Sequence, residues 1–527
     1  MRTAAIGLLI VLGCWNVALA DDNSKRDGDK DEQKDKKQLL KRRAGKFALV
    51  ESRCYSPADA MLAASYDIEE VPQEQQAFTR YLWEHNEAKY INDVGYPTLS
   101  YHINALSREP DLIPPAVVIG AAGTLFRINL LDYGIESNTF ARLADDDFIF
   151  HVRSQVPVAK QEVKTKPKVS LPGLGKSKVK SSDEIVKSVA RVDHAPWLVP
   201  DDRHKNALAR LATLTHSRCP IVSAQWFFFR TAIQDGRNEN KTGYYDFLKL
   251  GKKESDFLSI GGGDVVKAKA LALKLEMGAV IVDSHKVAIN NRQIRRVNML
   301  NGSLWFTLDV NSSVGKKNAV RHLDQLKPDG SEQILTLPNG LPAFWLQDGK
   351  GDRVDFVPPD IANNTIATGK DTRVHSNLTC VRCHHILHPI DDHIRKTFSS
   401  VVKLNVRGTE QQRRIRQLYF GNLQEQFDTD IANYAKKVKQ VSGLEMGVFV
   451  KAYGAHWDDW VEKLWGVSRI ARLAGMSETE LIDQLKEQGK NDKLDLVLAG
   501  LLNDPPVPIR YDQLEEVFPI IMLTRKP

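Results

Sequence analysis

The stretch Cys380-Val-Arg-Cys383-His384-His385 constrains this 527-residue chain more than any other part of it. Two cysteines spaced by two residues and followed directly by histidine can hold a haem, hold a zinc ion or close on each other as a disulfide. Each choice demands different surroundings, so the rest of the chain decides between them.

Compartment narrows the choice first. The N-terminus carries Arg2, an apolar run from Ala4 to Gly13, and Ala18-Leu19-Ala20 ahead of two aspartates. That layout predicts a secretory signal over residues 1–20, cleaved after Ala20. The apolar run is too short for a membrane span, which needs about 20 apolar residues. A lipoprotein signal ending at Cys14 competes, but Leu12 is bulky for the position it would occupy there. No later segment is apolar for long enough to cross a bilayer. The expectation is an exported chain, periplasmic or extracellular, without a transmembrane segment after cleavage. Loss of Arg2 lowers the formal net charge of +7 by one, to +6.

Cleavage leaves four cysteines: Cys54, Cys219, Cys380 and Cys383. A chain this long buries enough apolar surface without disulfide staples. Cys54 and Cys219 read equally well as a disulfide or as two buried thiols.

In the order Cys380-x-x-Cys383-His384, each residue has a task in covalent haem attachment. The two thiols add across the two vinyl groups, and the adjacent histidine becomes the proximal iron ligand. Export fits, because such attachment is completed outside the cytoplasm. Zinc is the competitor: Cys380, Cys383, His385 and His388 would make a Cys2His2 set. Structural zinc sites usually draw their second pair from a separate loop, however, and no second CxxC occurs. A thioredoxin-like redox pair would need a βαβ setting. One covalent haem c is the expectation, with a structural zinc-binding envelope protein as an alternative. For the distal iron ligand, Met446 comes first, lying 62 residues after His384. Met476, His456 and His375 also qualify, and each reads as well as a packed core residue.

Residues 21–43 are mostly charged with no apolar period, and predict a solvated tail. An N-terminal α/β region follows over 44–154. The pattern predicts helices from Pro57, over 74–93 and over 96–107, then a strand over 124–135. Arg127 and Asp132 read as the charged rim of that strand. Residues 155–192 form a linker or insertion, in which "QVPVAKQEVKTKPKVSLPGLGKSKVKSSDEIVK" holds eight lysines, three prolines and two glycines. Such a cationic segment could dock an acidic redox partner. The modest charge and the absence of a binding motif exclude nucleic acid.

Residues 193–370 predict an α+β region: a helix from Asp201 to Thr215, a buried segment around Trp226–Phe229, and a glycine turn into a helix over 259–276. A β-meander follows, with turns at Pro338-Asn339-Gly340 and Asp348-Gly349-Lys350-Gly351. After Pro389 the period becomes helical over 391–405, 410–441, 458–475 and 477–488, with a capping box at Ser477-x-x-Glu480. The fold class is therefore α+β: a mixed helical and β-meander body, then a mainly α-helical, cytochrome c-like haem region over 371–527.

In chain order, "TLFRINLLDYGI", "AQWFFFRTA", "YYDFL", "SEQILTLPNGLPAFWLQDGKGDRVDFVPPDI" and "TCVRCHH" resemble a family of large exported bacterial proteins. These planctomycete-type proteins are single-haem and c-type cytochrome-like. The resemblance spans about residues 75–480 and is clearest over 330–385. It implies Cys380 and Cys383 as thioether sites and His384 as the proximal ligand. The chain departs from the pattern with "HSNLT" before the first cysteine and with its lysine-rich stretch. Taken together, these features predict an electron-transferring c-type cytochrome, with a haem-dependent oxidoreductase or peroxidase-like enzyme as the alternative.

Overall fold

The computed structural model describes residues 57–84, 88–118, 125–145, 152–158, 188–194, 202–234, 242–261, 276–282, 290–357, 361, 373–384, 409–419, 421–461, 463–474, 476–490 and 494–523. The expected signal, the charged tail, Cys14, Cys54, His385, His388, most of the helix expected over 259–276 and the helix expected over 391–405 lie outside them.

Helix α1 (Pro57–Glu70) opens with proline, whose fixed φ suits a first helical turn. Strand β1 (Thr79–Trp83) then corrects the helix expected over 74–93. All five of its residues are buried, so no exposed face imposes an alternating pattern, and its aromatic and β-branched residues favour a strand. Among the described residues of that stretch, helical structure survives at Gln73–Gln76 and from Ala88 through the π-type turn Ile91–Gly95, which runs into α2 (Tyr96–Ala105).

β1 is central in a four-stranded sheet with β2 (Ala116–Val117), β3 (Leu125–Asn129) and β6 (Ile221–Ser223), in the order β2-β3-β1-β6. The strand expected over 124–135 stops at Asn129, whose side chain accepts the Leu131 N–H and starts a 3-10 turn over Leu130–Tyr133. Arg127 pairs with Asp67 at 2.8 Å, the structural role expected of it. Helix α3 (Thr139–Ala144) follows. Both ends of the lysine-rich stretch are strand: β4 (Val152–Val158) and β5 (Ser188–His194) pair antiparallel. Next come α4 (Asp202–Leu214) and α5 (Ala224–Thr231). Every residue of α5 is buried, and the Ser223 hydroxyl caps it by accepting the Trp226 N–H at 3.2 Å.

After α6 (Glu254–Ile260) comes the expected meander. It comprises β7 (Met277–Ile281), β8 (Arg292–Met299), β9 (Gly302–Leu308), β10 (Gly330–Thr336) and β11 (Pro342–Asp348), each antiparallel to the next. Gly340 (φ +85°) and Gly351 (φ +83°) make the two turns read from the sequence, in a region of backbone space that side chains disfavour. The short strands β12 (Phe356–Val357) and β13 (Val374–His375) lead to α7 (Leu378–Cys383).

The remainder is helical: α8 (Glu410–Tyr419), α9 (Leu423–Ser442), α10 (Met446–Val461), α11 (Val467–Leu473), α12 (Glu478–Lys490) and α13 (Tyr511–Leu523). The capping box on α12 forms as expected, with Glu480 accepting the Ser477 N–H at 2.6 Å and Ser477 accepting the Glu480 N–H at 3.2 Å. One contiguous apolar core joins Tyr81 of β1, Trp345 of β11, Met61, Tyr101 and Phe228 of helices α1, α2 and α5, and Tyr453 and Phe518 of the C-terminal helices. The fold is α+β, as the sequence pattern predicts.

Candidate functional site

The motif lies on α7 and its C-terminal end. Asn377, at φ +66°, turns the chain into α7 and donates from Nδ2 to the Ala232 carbonyl (3.0 Å) and to the Tyr453 hydroxyl (3.2 Å). Arg382 faces Asp458 of α10 at 3.5 Å. These contacts tie α7 to the end of α5 and to α10, and they set which way the motif faces. Cys380 points inward with its Sγ 3.9 Å from the His375 carbonyl, Cys383 is half-buried, and His384 is exposed just past the helix.

Both cysteines are free thiols. Burial first, and the Glu332 carboxylate second, push Cys380 well above the ordinary thiol range and Cys383 up to about 11. The thiols are therefore protonated at neutral pH and lack the thiolate character of a redox-active pair.

His384 lines a cavity of about 510 Å³, within the size range of small-molecule and cofactor sites (about 300–1,000 Å³). Strand register explains its floor. Trp305, Ile334 and Phe344 stand directly opposite one another on β9, β10 and β11, so period-2 alternation brings all three to one face of the sheet. The roof is one face of α9, where Phe427, Ile431 and Tyr434 recur at helical spacing. Asp430 locks roof to floor: it accepts from Arg296 Nε (2.8 Å) and Nη2 (3.1 Å) and from the Trp305 indole (2.7 Å). Tyr434 exchanges a hydrogen bond with the Tyr101 hydroxyl at 2.9 Å.

The two ends of the cavity differ in charge. At the end of β10 that carries Glu332, Arg292 meets Asp309 at 2.8 Å and Glu332 at 3.6 Å, so one guanidinium serves two carboxylates. Burial, offset in part by Arg292, pushes Asp309 up to about 6. At the other end lie the Gly340 turn and two lysines of α9, Lys436 and Lys437. None of these charged residues stands out in the sequence. The only signal is parity, since Arg292, Glu332, Ile334 and Thr336 share the alternation that puts Trp305 and Phe344 on the same face.

His384 is the one expected ligand that reaches the cavity. Met446 begins α10 and is buried in the main core, Met476 is half-buried against that core, and His375 is buried on β13. His456 is fully buried on α10, with Nδ1 3.2 Å from the Tyr90 hydroxyl. None of the four lines the cavity among the described residues. Of the alternative zinc set, only Cys380 and Cys383 fall within the described residues, among which no cluster of three or more His, Cys, Asp or Glu is placed to hold a metal ion. Cys219 is buried, with its thiol close enough to Arg80 to affect that guanidinium. No described helix is long and apolar enough to cross a membrane.

The cavity is apolar and aromatic-walled with His384 at its edge. Cys383 precedes His384 directly and Cys380 lies one helical turn before it, but neither thiol lines the cavity, so a planar cofactor there could be tied only at that edge. No protein-family model, curated protein or solved structure matches this chain.

Proposed function

We propose that this chain is an exported, c-type cytochrome-like protein that holds one haem through Cys380, Cys383 and His384, and that it transfers electrons. The observation that carries this reading is the placement of His384, the last residue of the CxxCH motif, on the wall of an apolar cavity of cofactor size. The secretory layout of residues 1–20 and the resemblance over 330–385 support it.

Bound haem would supply one-electron exchange between ferric and ferrous iron. The chain's own residues would do the rest. Cys380 and Cys383 would provide the thioether bonds and His384 the proximal nitrogen. Trp305, Ile334 and Phe344 below, with Phe427 and Ile431 above, would exclude water from the ring faces. Glu332 would place negative charge beside the attachment edge, which favours the oxidised form. The cationic lysine-rich stretch over 155–192 would suit an acidic redox partner.

A second reading, a haem-dependent oxidoreductase with an open iron position, is favoured by one observation. Met446, Met476, His456 and His375 all lie away from the cavity among the described residues. Ferric spin state separates the two: a six-coordinate low-spin spectrum supports transfer, and a high-spin, ligand-binding iron supports catalysis.

The test of haem itself uses protein matured by the c-type attachment machinery, then denatured. Pyridine-haem spectroscopy and intact mass should report one haem per chain, lost in Cys380→Ala/Cys383→Ala. A chain that carries zinc and no haem would overturn the proposal.

A further inference from the structure

We infer that Lys436 and Lys437 of α9 receive the carboxylate end of the cavity's ligand, which, resting on the reading above, is the propionate edge of haem. The cavity is polarised along β10. Glu332 and Thr336 lie four residues apart on that strand, about 13 Å at the usual strand rise, and the Gly340 turn lies beyond Thr336. The motif thiols sit toward the Glu332 end: Cys380 Sγ lies 3.9 Å from the His375 carbonyl on β13, and the preceding Val374 packs in one cluster with Leu346, the residue paired with Glu332. In haem the vinyl and propionate groups occupy opposite edges of the ring. Tying the vinyl edge at Cys380 and Cys383 therefore sends the propionates toward Gly340.

The cationic groups sort the same way. Arg292 is already engaged by Asp309 and Glu332, and that end carries two carboxylates against one guanidinium. Asp430 is taken by Arg296 and Trp305, which leaves it poorly placed to neutralise α9's lysines. Neither Lys436 nor Lys437 forms an ion pair among the described residues, whereas their neighbour Lys439 pairs with Glu445. Gly340 makes room for the Lys437 stem: a Cβ there would fall 2.8 Å from Lys437 Cε and 3.1 Å from its Cγ. A buried, unpaired carboxylate is costly, so a ligand with an apolar ring and an anionic edge gains from this orientation and loses in the reverse one.

The test begins with the full chain carrying Cys380→Ala/Cys383→Ala, titrated with free-acid haem and with its dimethyl ester while Soret absorbance is followed. Adding Lys436→Gln/Lys437→Gln should weaken the free acid at least tenfold and leave the ester unchanged, whereas Lys439→Gln should alter neither. In parallel, the lysine pair is replaced in the covalently matured protein. The pH profile of the reduction potential and the propionate modes in resonance Raman spectra should then shift, with propionate protonation moving to higher pH. An unchanged pH profile with unchanged Raman modes, or equal weakening of acid and ester, overturns the assignment. A matured chain that holds no haem overturns the reading on which it rests, and the pyridine-haem assay reports that separately.

Discussion

The cavity between β8–β11 and α9, and the packed centre between α2, α5 and α10, both contain histidine and tyrosine, but they treat them in opposite ways. In the centre, His102 places Nε2 2.7 Å from the Thr231 hydroxyl and its ring 4.8 Å from Phe228. His456 packs against the same phenylalanine, also at 4.8 Å, with the rings tilted by 60°. Burial pushes His102 down to about 3 and His456 down to about 4, so both are neutral across the physiological range. In the cavity, ionisable side chains stand at both ends and His384 is exposed. A buried histidine here marks packing, while the functional candidate is the one that packing leaves out. His456, a distal-ligand candidate from sequence, belongs to the first kind.

The sharpest contrast comes from truncating one ring in each region. Phe228→Ala removes a fully buried ring that touches both histidines and Tyr453, and should destabilise the chain by about 3–5 kcal/mol in denaturant unfolding. Ile334→Ala on the cavity floor borders space that is already there, and should cost only about 1 kcal/mol while lowering haem retention. Equal costs at the two positions would break the comparison.

Acid should act through the packed centre next. Both histidines have folded-state values below the ordinary 6.5, so their stabilising contribution is complete above pH 6.5 and is lost as pH falls toward 3–4. Asp309 runs the other way. Its value is raised to about 6, so it penalises the fold above that pH and relieves it on acidification. The histidines win, and roughly 3 kcal/mol should be lost between about pH 6.5 and 4.5. His102→Gln should reduce proton uptake on unfolding at about pH 5 by about one proton. A variant with the wild-type slope would show that His102 is not held neutral.

Asp430 joins the cavity's roof to its floor. Asp430→Ala leaves Arg296 and the Trp305 indole without their shared acceptor and should cost about 2–3 kcal/mol, somewhat less than a fully buried pair because Asp430 is partly exposed. Haem retention should fall with it. Loss of stability with full retention would mean that α9 does not form the roof of the site.

Much of this was legible in the sequence, for identifiable reasons. The meander was, because period-2 alternation and the Asn-Gly and Asp-Gly turn signals agree along the same stretch. So was the Ser477 capping box, which depends on four adjacent residues. β1 was not: Thr79–Trp83 is buried on both faces, and burial on both faces erases the alternation that distinguishes a strand from a helix. The motif residues were legible because they are contiguous. The cavity was not, since Glu332, Asp430 and Lys437 come together only through pairing of β10 with its neighbours and docking of α9, and no local pattern encodes either.

The smallest effect expected is also the most selective. Gly340 and Gly443 both adopt positive φ, at +85° and +75°, so alanine should cost about 1 kcal/mol at each from backbone strain alone. They differ in what a Cβ would meet. At Gly443 it meets nothing within 4 Å, whereas at Gly340 it runs into the Lys437 stem. That stem is flexible and can swing aside cheaply, so the two variants should unfold at nearly the same denaturant concentration. Their ligand binding should nonetheless diverge. Gly340→Ala moves the Lys437 ammonium away from the cavity and should weaken free-acid haem but not its dimethyl ester, and Gly443→Ala should weaken neither. Matched stability with divergent binding would locate the effect at the cationic end of the cavity rather than in the fold.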